Sequence, residues 1–62
     1  MRRAAFVRAR KRATRTGKDH VIAKSPNSEN WVIYPADAFV GINQFGYYKE
    51  FEEIKLTWEK VG

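Results

Sequence analysis

Two five-residue runs, HVIAK at 20–24 and WVIYP at 31–35, constrain the fold of this chain more than any other feature. Val, Ile, Trp and Tyr favour extended backbone, and the intervening SPNSEN is rich in turn-forming residues. The two runs therefore predict a β-hairpin with a six-residue loop. Both strands place apolar side chains on both faces, as Val21 and Ile22 do in the first strand. Neither face is suited to water, so other elements must cover both.

Residues 3–16 are predicted to form a helix that can cover one of these faces, because Ala, Arg and Lys are good helix formers. Gly17 is placed to end the helix in the left-handed conformation. At 100° per residue, one apolar stripe consists of Ala5, Phe6, Ala9 and Ala13. We expect one small domain, residues 1–62, in which the basic N-terminal helix at 1–16 can be partly detached.

The remainder of the chain predicts a short helical turn and one further element. Pro35 ends the second strand and can begin the turn PADAF. The final run, 47–61, fits two patterns. As a helix it places five apolar residues within an arc of about 80°, namely Tyr47, Phe51, Ile54, Trp58 and Val61. As a strand it alternates apolar and polar residues from Ile54 onward. We favour the helix, because it explains more residues.

The predicted fold class is therefore α+β. Its elements in chain order are a basic N-terminal helix, a β-hairpin, a short helical turn, and a C-terminal amphipathic helix or, alternatively, a third antiparallel strand.

The chain has 62 residues and no cysteine, so neither disulfides nor thiolate metal sites can reinforce its core. A reducing, cytoplasmic setting is the natural expectation for such a chain. Its apolar runs are too short for a secretory signal or a membrane span. The core must come largely from aromatic side chains, and we expect Trp31, Phe51 and Trp58 to be buried. Tyr34 and Tyr48 are expected to be the exposed rings.

Catalysis is not expected from the residues present. Nucleophilic or acid–base catalysis needs several converging groups, whereas the chain has a single histidine, His20, and its two serines lie in a polar loop. Asp19 precedes that histidine, and neighbouring side chains of a strand point to opposite faces. The glutamates at 50, 52 and 53 lack a histidine at ligand spacing. Gly-rich phosphate-binding motifs are absent as well. We therefore expect no metal and no cofactor.

The basic N-terminal segment carries the functional signal. Residues 1–24 contain nine basic residues and one acidic residue, whereas residues 25–62 contain three basic and six acidic residues. Lys and Arg that neutralise phosphates release condensed counterions, which favours binding to nucleic acid. The leading hypothesis is a small, non-catalytic protein that binds the DNA or RNA backbone through its Arg-rich helix. The candidate binding residues are Arg3, Arg8, Arg10, Lys11, Arg12, Arg15 and Lys18. Tyr34 and Tyr48 are candidates for base stacking.

Three alternatives remain open. The first is that the chain is a small protein-interaction module, such as an adaptor or inhibitor of the phage or mobile-element type. Such a module would dock its basic helix or an aromatic patch on an acidic protein surface. It can also form a homodimer through a strand edge or the C-terminal segment. Finally, the cations can simply be solvated, or paired within the molecule. Whether the cations are paired within the molecule depends on where the carboxylates lie, namely those of Glu50, Glu52, Glu53 and Glu59.

Overall fold

The computed structural model describes residues 1–56 and has five elements. They are helix α1 (Arg2–Thr16), strand β1 (His20–Lys24), strand β2 (Trp31–Pro35), helix α2 (Ala36–Ile42) and strand β3 (Glu50–Ile54). The predicted α+β class and the order of its first four elements are confirmed. Both hairpin strands have the bounds expected from the sequence.

The three strands form one antiparallel sheet in the order β2-β1-β3, with β1 at its centre. In the hairpin, His20 lies opposite Pro35 and Lys24 opposite Trp31. On the other side of β1, His20 lies opposite Ile54. The central position explains the composition of β1, because a strand with a partner on each side and a helix on each face has little room for water. Its first four residues are all buried.

The preferred helical interpretation of the C-terminal run is wrong for residues 50–54, and the alternative of a third antiparallel strand is correct there. The physical reason is non-local. Without β3, the second edge of β1 would bury its backbone N–H and C=O groups without partners, which is costly. Pairing with β3 satisfies those groups and overrides a helical period read from side chains alone. Trp58 and Val61, which also supported the helix, lie outside the described residues.

One face of the sheet is covered by α1. Ala5 and Ala9 pack with Ile22 and Ile54, and three half-buried side chains surround this cluster. Those three are Phe6, Trp31 and Ile33. Alanine at every fourth residue brings the helix backbone close to the sheet. Fully burying a side chain such as Ile22 contributes about 1.5–3 kcal/mol, so the strands supply more of this core than the helix does.

The other face is covered by α2. Phe39 packs on Val21 and Ala23, and the half-buried rings of Tyr34 and Tyr48 adjoin it. Pro35 is the residue before α2, with φ −62°, as its position in the sequence predicts. The Asn43 side chain connects the end of α2 to Tyr48. It donates a hydrogen bond to the Tyr48 carbonyl at 3.1 Å and accepts one from the Tyr48 N–H at 2.6 Å.

Gly17 ends α1 in the left-handed conformation, with φ 74°, as predicted. Its N–H donates to the Ala13 carbonyl at 2.7 Å. The turn directs the chain into β1, whose start is tied to the region after β3. There the Asp19 carboxylate accepts a hydrogen bond from the Leu56 N–H at 2.8 Å.

Candidate nucleic-acid interface

The packing of α1 leaves the basic residues predicted to bind nucleic acid exposed to solvent. Ala5, Ala9 and Ala13 are buried along one stripe of the helix, and this stripe fixes the rotation of the helix about its axis. All seven basic residues predicted to bind nucleic acid are solvent exposed, six on α1 and Lys18 just beyond it. The structure therefore leaves the complete predicted set accessible to a ligand.

These cations are not spread evenly. At 100° per residue, four of them occupy an arc of about 100° on one flank of the helix. These four are Arg8, Lys11, Arg12 and Arg15, which we call the basic strip. Arg3 and Arg10 lie on the opposite flank, where the Arg10 guanidinium lies 6.0 Å from the centre of the Phe6 ring. The basic strip borders β2, because Arg8 and Arg12 line a cleft together with residues of that strand.

Within residues 1–56, the carboxylates do not form ion pairs with any of the seven predicted binding residues. Glu52 pairs with Arg2, Glu50 with Lys24 at 3.6 Å, and Glu53 with Lys55. These three glutamates therefore form ion pairs only with cations outside the predicted binding set, within the described residues. Glu59, which the sequence also made a candidate partner, lies outside the described residues.

A cleft of about 470 Å³ separates α1 from β2. Its basic side is formed by Arg8 and Arg12, and its opposite side includes Asn30 and Trp31. This cleft was not predicted from the sequence, in which Trp31 was expected to lie wholly in the core. The indole is half-buried and contributes to both the core cluster and the cleft. The i, i+4 spacing of the two arginines was visible in the sequence, but the proximity of β2 is a tertiary feature.

The two rings proposed for stacking are less exposed than expected. Tyr34 and Tyr48 are half-buried, and their centroids lie 6.0 and 5.9 Å from that of Phe39. Their hydroxyl oxygens share a hydrogen bond of 2.7 Å. This bond, together with burial and the neighbouring tyrosines, raises the pKa of Tyr48 to about 12. The expectation that these are the exposed rings is wrong, because both pack against the cluster that Phe39 of α2 forms with Val21 and Ala23. Their role in stacking stays a prediction.

Among the rings of residues 1–56, the most exposed lie elsewhere. Phe45 is 90% exposed, and Tyr47 and Phe51 are about half exposed. Phe51 was expected in the core, and that expectation is wrong because its position on β3 faces the side of the sheet that the short α2 covers only in part. Val40 on α2 is also exposed. Val40 and Phe51 line a second groove, between α2 and β3.

The residues considered for catalysis, His20 and Asp19, make contacts within the fold. His20 is buried in β1, with Nδ1 3.0 Å from the Lys18 carbonyl oxygen. Asp19 accepts the hydrogen bond from Leu56. In the part of the chain that the structure describes, no three His, Asp or Glu side chains are grouped to hold a metal ion.

Comparisons of the chain with protein-family models, curated proteins and solved structures found no match. Neither helix in the described part of the chain has the length and apolar character needed to cross a bilayer.

Proposed function

We propose that this protein is a small, non-catalytic nucleic-acid-binding protein that contacts the phosphate backbone through α1. The observation that carries the proposal is the exposure of all seven predicted cations, none of which is neutralised by a carboxylate of residues 1–56. A solvated helix face needs no such concentration of arginine on one flank. Arginine binds phosphate through two parallel hydrogen bonds, which lysine does not.

The mechanism follows from the fixed geometry of the helix. Because the alanine stripe holds α1 on the sheet, the basic strip is presented on a rigid element, and less conformational entropy is lost when a ligand binds. Neutralisation of phosphates releases counterions into solution. Four to six such contacts give a slope of log K against log salt of about −4 to −5 on duplex DNA.

The test is a binding titration at several salt concentrations. Replacing Lys11→Gln and Arg15→Gln removes two charges from the basic strip and leaves the core untouched. We expect weaker binding to every sequence and a salt slope smaller in magnitude by about 2. The matched control is Lys49→Gln with Lys55→Gln, which removes the same charge from exposed positions away from α1. Equal losses in both double variants would contradict a site on α1.

A protein-interaction module is the second candidate, favoured by the exposed apolar side chains around α2. Val40 is 74% exposed and adjoins the groove that Phe51 also lines. Such a module, of the adaptor or inhibitor type, would show only weak binding to nucleic acid at physiological salt. It would retain a specific protein partner after nuclease treatment. Self-association is a further outcome, since β2 and β3 are the edge strands of the sheet, and light scattering measures it.

A further inference from the structure

The cleft between α1 and β2 combines the two chemical features that an unpaired nucleotide requires. It is lined by Arg8 and Arg12 from α1 and, from the other side, by Trp31 of β2 and the neighbouring Asn30. None of the residues that line the cleft is acidic. A volume of about 470 Å³ falls within the range of roughly 300–1,000 Å³ that is typical of small-ligand sites.

The indole of Trp31 lies beside a cation of its own molecule. The Arg2 guanidinium lies 5.7 Å from the centre of the Trp31 ring and forms an ion pair with Glu52. Arg2 and Glu52 line a different hollow, beside Phe6, and are not part of the cleft. Arg2 is therefore close to the ring but is not among the residues that line the cleft.

We propose that this cleft holds one nucleotide of a single strand, with its base against Trp31 and its flanking phosphates bound by Arg8 and Arg12. The inference rests on the proposed function and names its ligand class. A basic groove beside an aromatic side chain is the arrangement that binds single strands, because an unpaired base has a free face for stacking. In a duplex each base is stacked between its neighbours, so it has no free face to place against Trp31. The Asn30 amide can donate to, or accept from, the edge of the base.

The test uses Trp31 as its own reporter. In a Trp58→Phe background, Trp31 is the only tryptophan, and its fluorescence is followed during titration with a single-stranded oligonucleotide and with a hairpin duplex of the same sequence. DNA and RNA versions of each oligonucleotide distinguish the two sources of the ligand. We expect quenching and tighter binding with the single strand, and neither effect with the duplex.

Two substitutions separate stacking from folding. Trp31→Leu is expected to weaken single-strand binding about tenfold while duplex binding is retained, and Trp31→Phe is expected to restore most of the loss. Because Trp31 also contacts the core, thermal unfolding of each variant is measured alongside. Asn30→Ala changes an exposed residue of the cleft that is not in the core, and it should weaken single-strand binding without a change in stability.

The failures of the two proposals differ. Equal affinity for single strand and duplex without quenching of Trp31 would overturn the nucleotide-binding cleft. If the Lys11→Gln and Arg15→Gln variant still lost affinity for both ligands, the proposed function would stand. Absence of binding to either ligand at moderate salt would overturn both.

Discussion

Tyr48 lies between α2 and β3, and its hydrogen bonds connect it to β2 and to the end of α2. Its hydroxyl meets that of Tyr34, on β2, at 2.7 Å, and its backbone is held by Asn43 at the end of α2. The hydrogen bond with Tyr34, followed by burial and the charges of Tyr34 and Tyr47, raises the pKa of Tyr48 from the usual 10.0 to about 12. The folded state therefore retains this proton at a pH at which the unfolded chain has released it.

This raised pKa predicts an alkaline limit to stability. Because the folded-state value exceeds the unfolded one, the contribution is complete below pH about 10 and is lost as the pH rises to about 12. Tyrosinate absorbance in a Tyr47→Phe background should show one late-titrating group, and Tyr34→Phe should lower its pKa. An unchanged titration in the Tyr34→Phe variant would refute the role of the shared hydrogen bond.

Single residues also mark the limits of sequence reasoning. Gly17 and Pro35 were predictable, because each has a backbone preference that does not depend on distant residues. The exposure of Phe51 and the partial burial of Tyr48 were not, because both depend on where α2 lies across the sheet. Trp31 packs against the core and also lines the cleft, and no local sequence pattern indicates this double position.

At the scale of elements, α1 is defined by its small inner residues. Ala9 and Ala13 have almost no exposed surface, so the helix backbone lies close to the sheet. Any larger side chain there must push the helix away or strain the strands beneath.

Ala9→Leu is therefore expected to destabilise the fold by about 1–3 kcal/mol, although leucine is hydrophobic and a good helix former. Chemical denaturation measures the change in the free energy of unfolding. Thr14→Leu, at an exposed position of the same helix, is the control and should have a small effect. If both variants were equally stable, the close approach of α1 to the sheet would be wrong.

The elements differ in how well their sequences predict them. The hairpin and α1 are local, and their turn residues and periodicity identified both. In β3 the side chains fit a helical period, yet the unpaired edge of β1 determines the conformation. The conformation of β3 therefore depends on residues about 30 positions away, as in the pairing of Ile22 with Glu52. A local stretch of sequence does not include both partners.

The whole molecule depends on α1 for stability as well as for its proposed binding surface. Removing the helix would expose the face that carries Ile22 and Ile54. Two such side chains contribute about 3–6 kcal/mol when buried, which is comparable with the roughly 3–5 kcal/mol that a core of this size supplies.

A chain that lacks residues 2–16 is therefore expected to lose cooperative thermal unfolding, as circular dichroism would show. The Lys11→Gln and Arg15→Gln variant should retain it. A cooperative transition in the deleted chain would show that the remaining elements fold alone. Charge substitution, and not deletion, thus separates binding from folding.

The site was predictable in composition but not in arrangement. The sequence identified the seven cations, because charge is a property of each residue. It did not indicate that Arg8 and Arg12 face Trp31, because that proximity arises only when α1 packs beside β2.

The alanine stripe of α1 has a consequence for redesign. Packing uses only the inner positions of the helix, so the outward ones can be varied in a library without repacking the interior. A chain of 62 residues would then serve as a scaffold on which new ligand preferences are selected by changing one exposed surface.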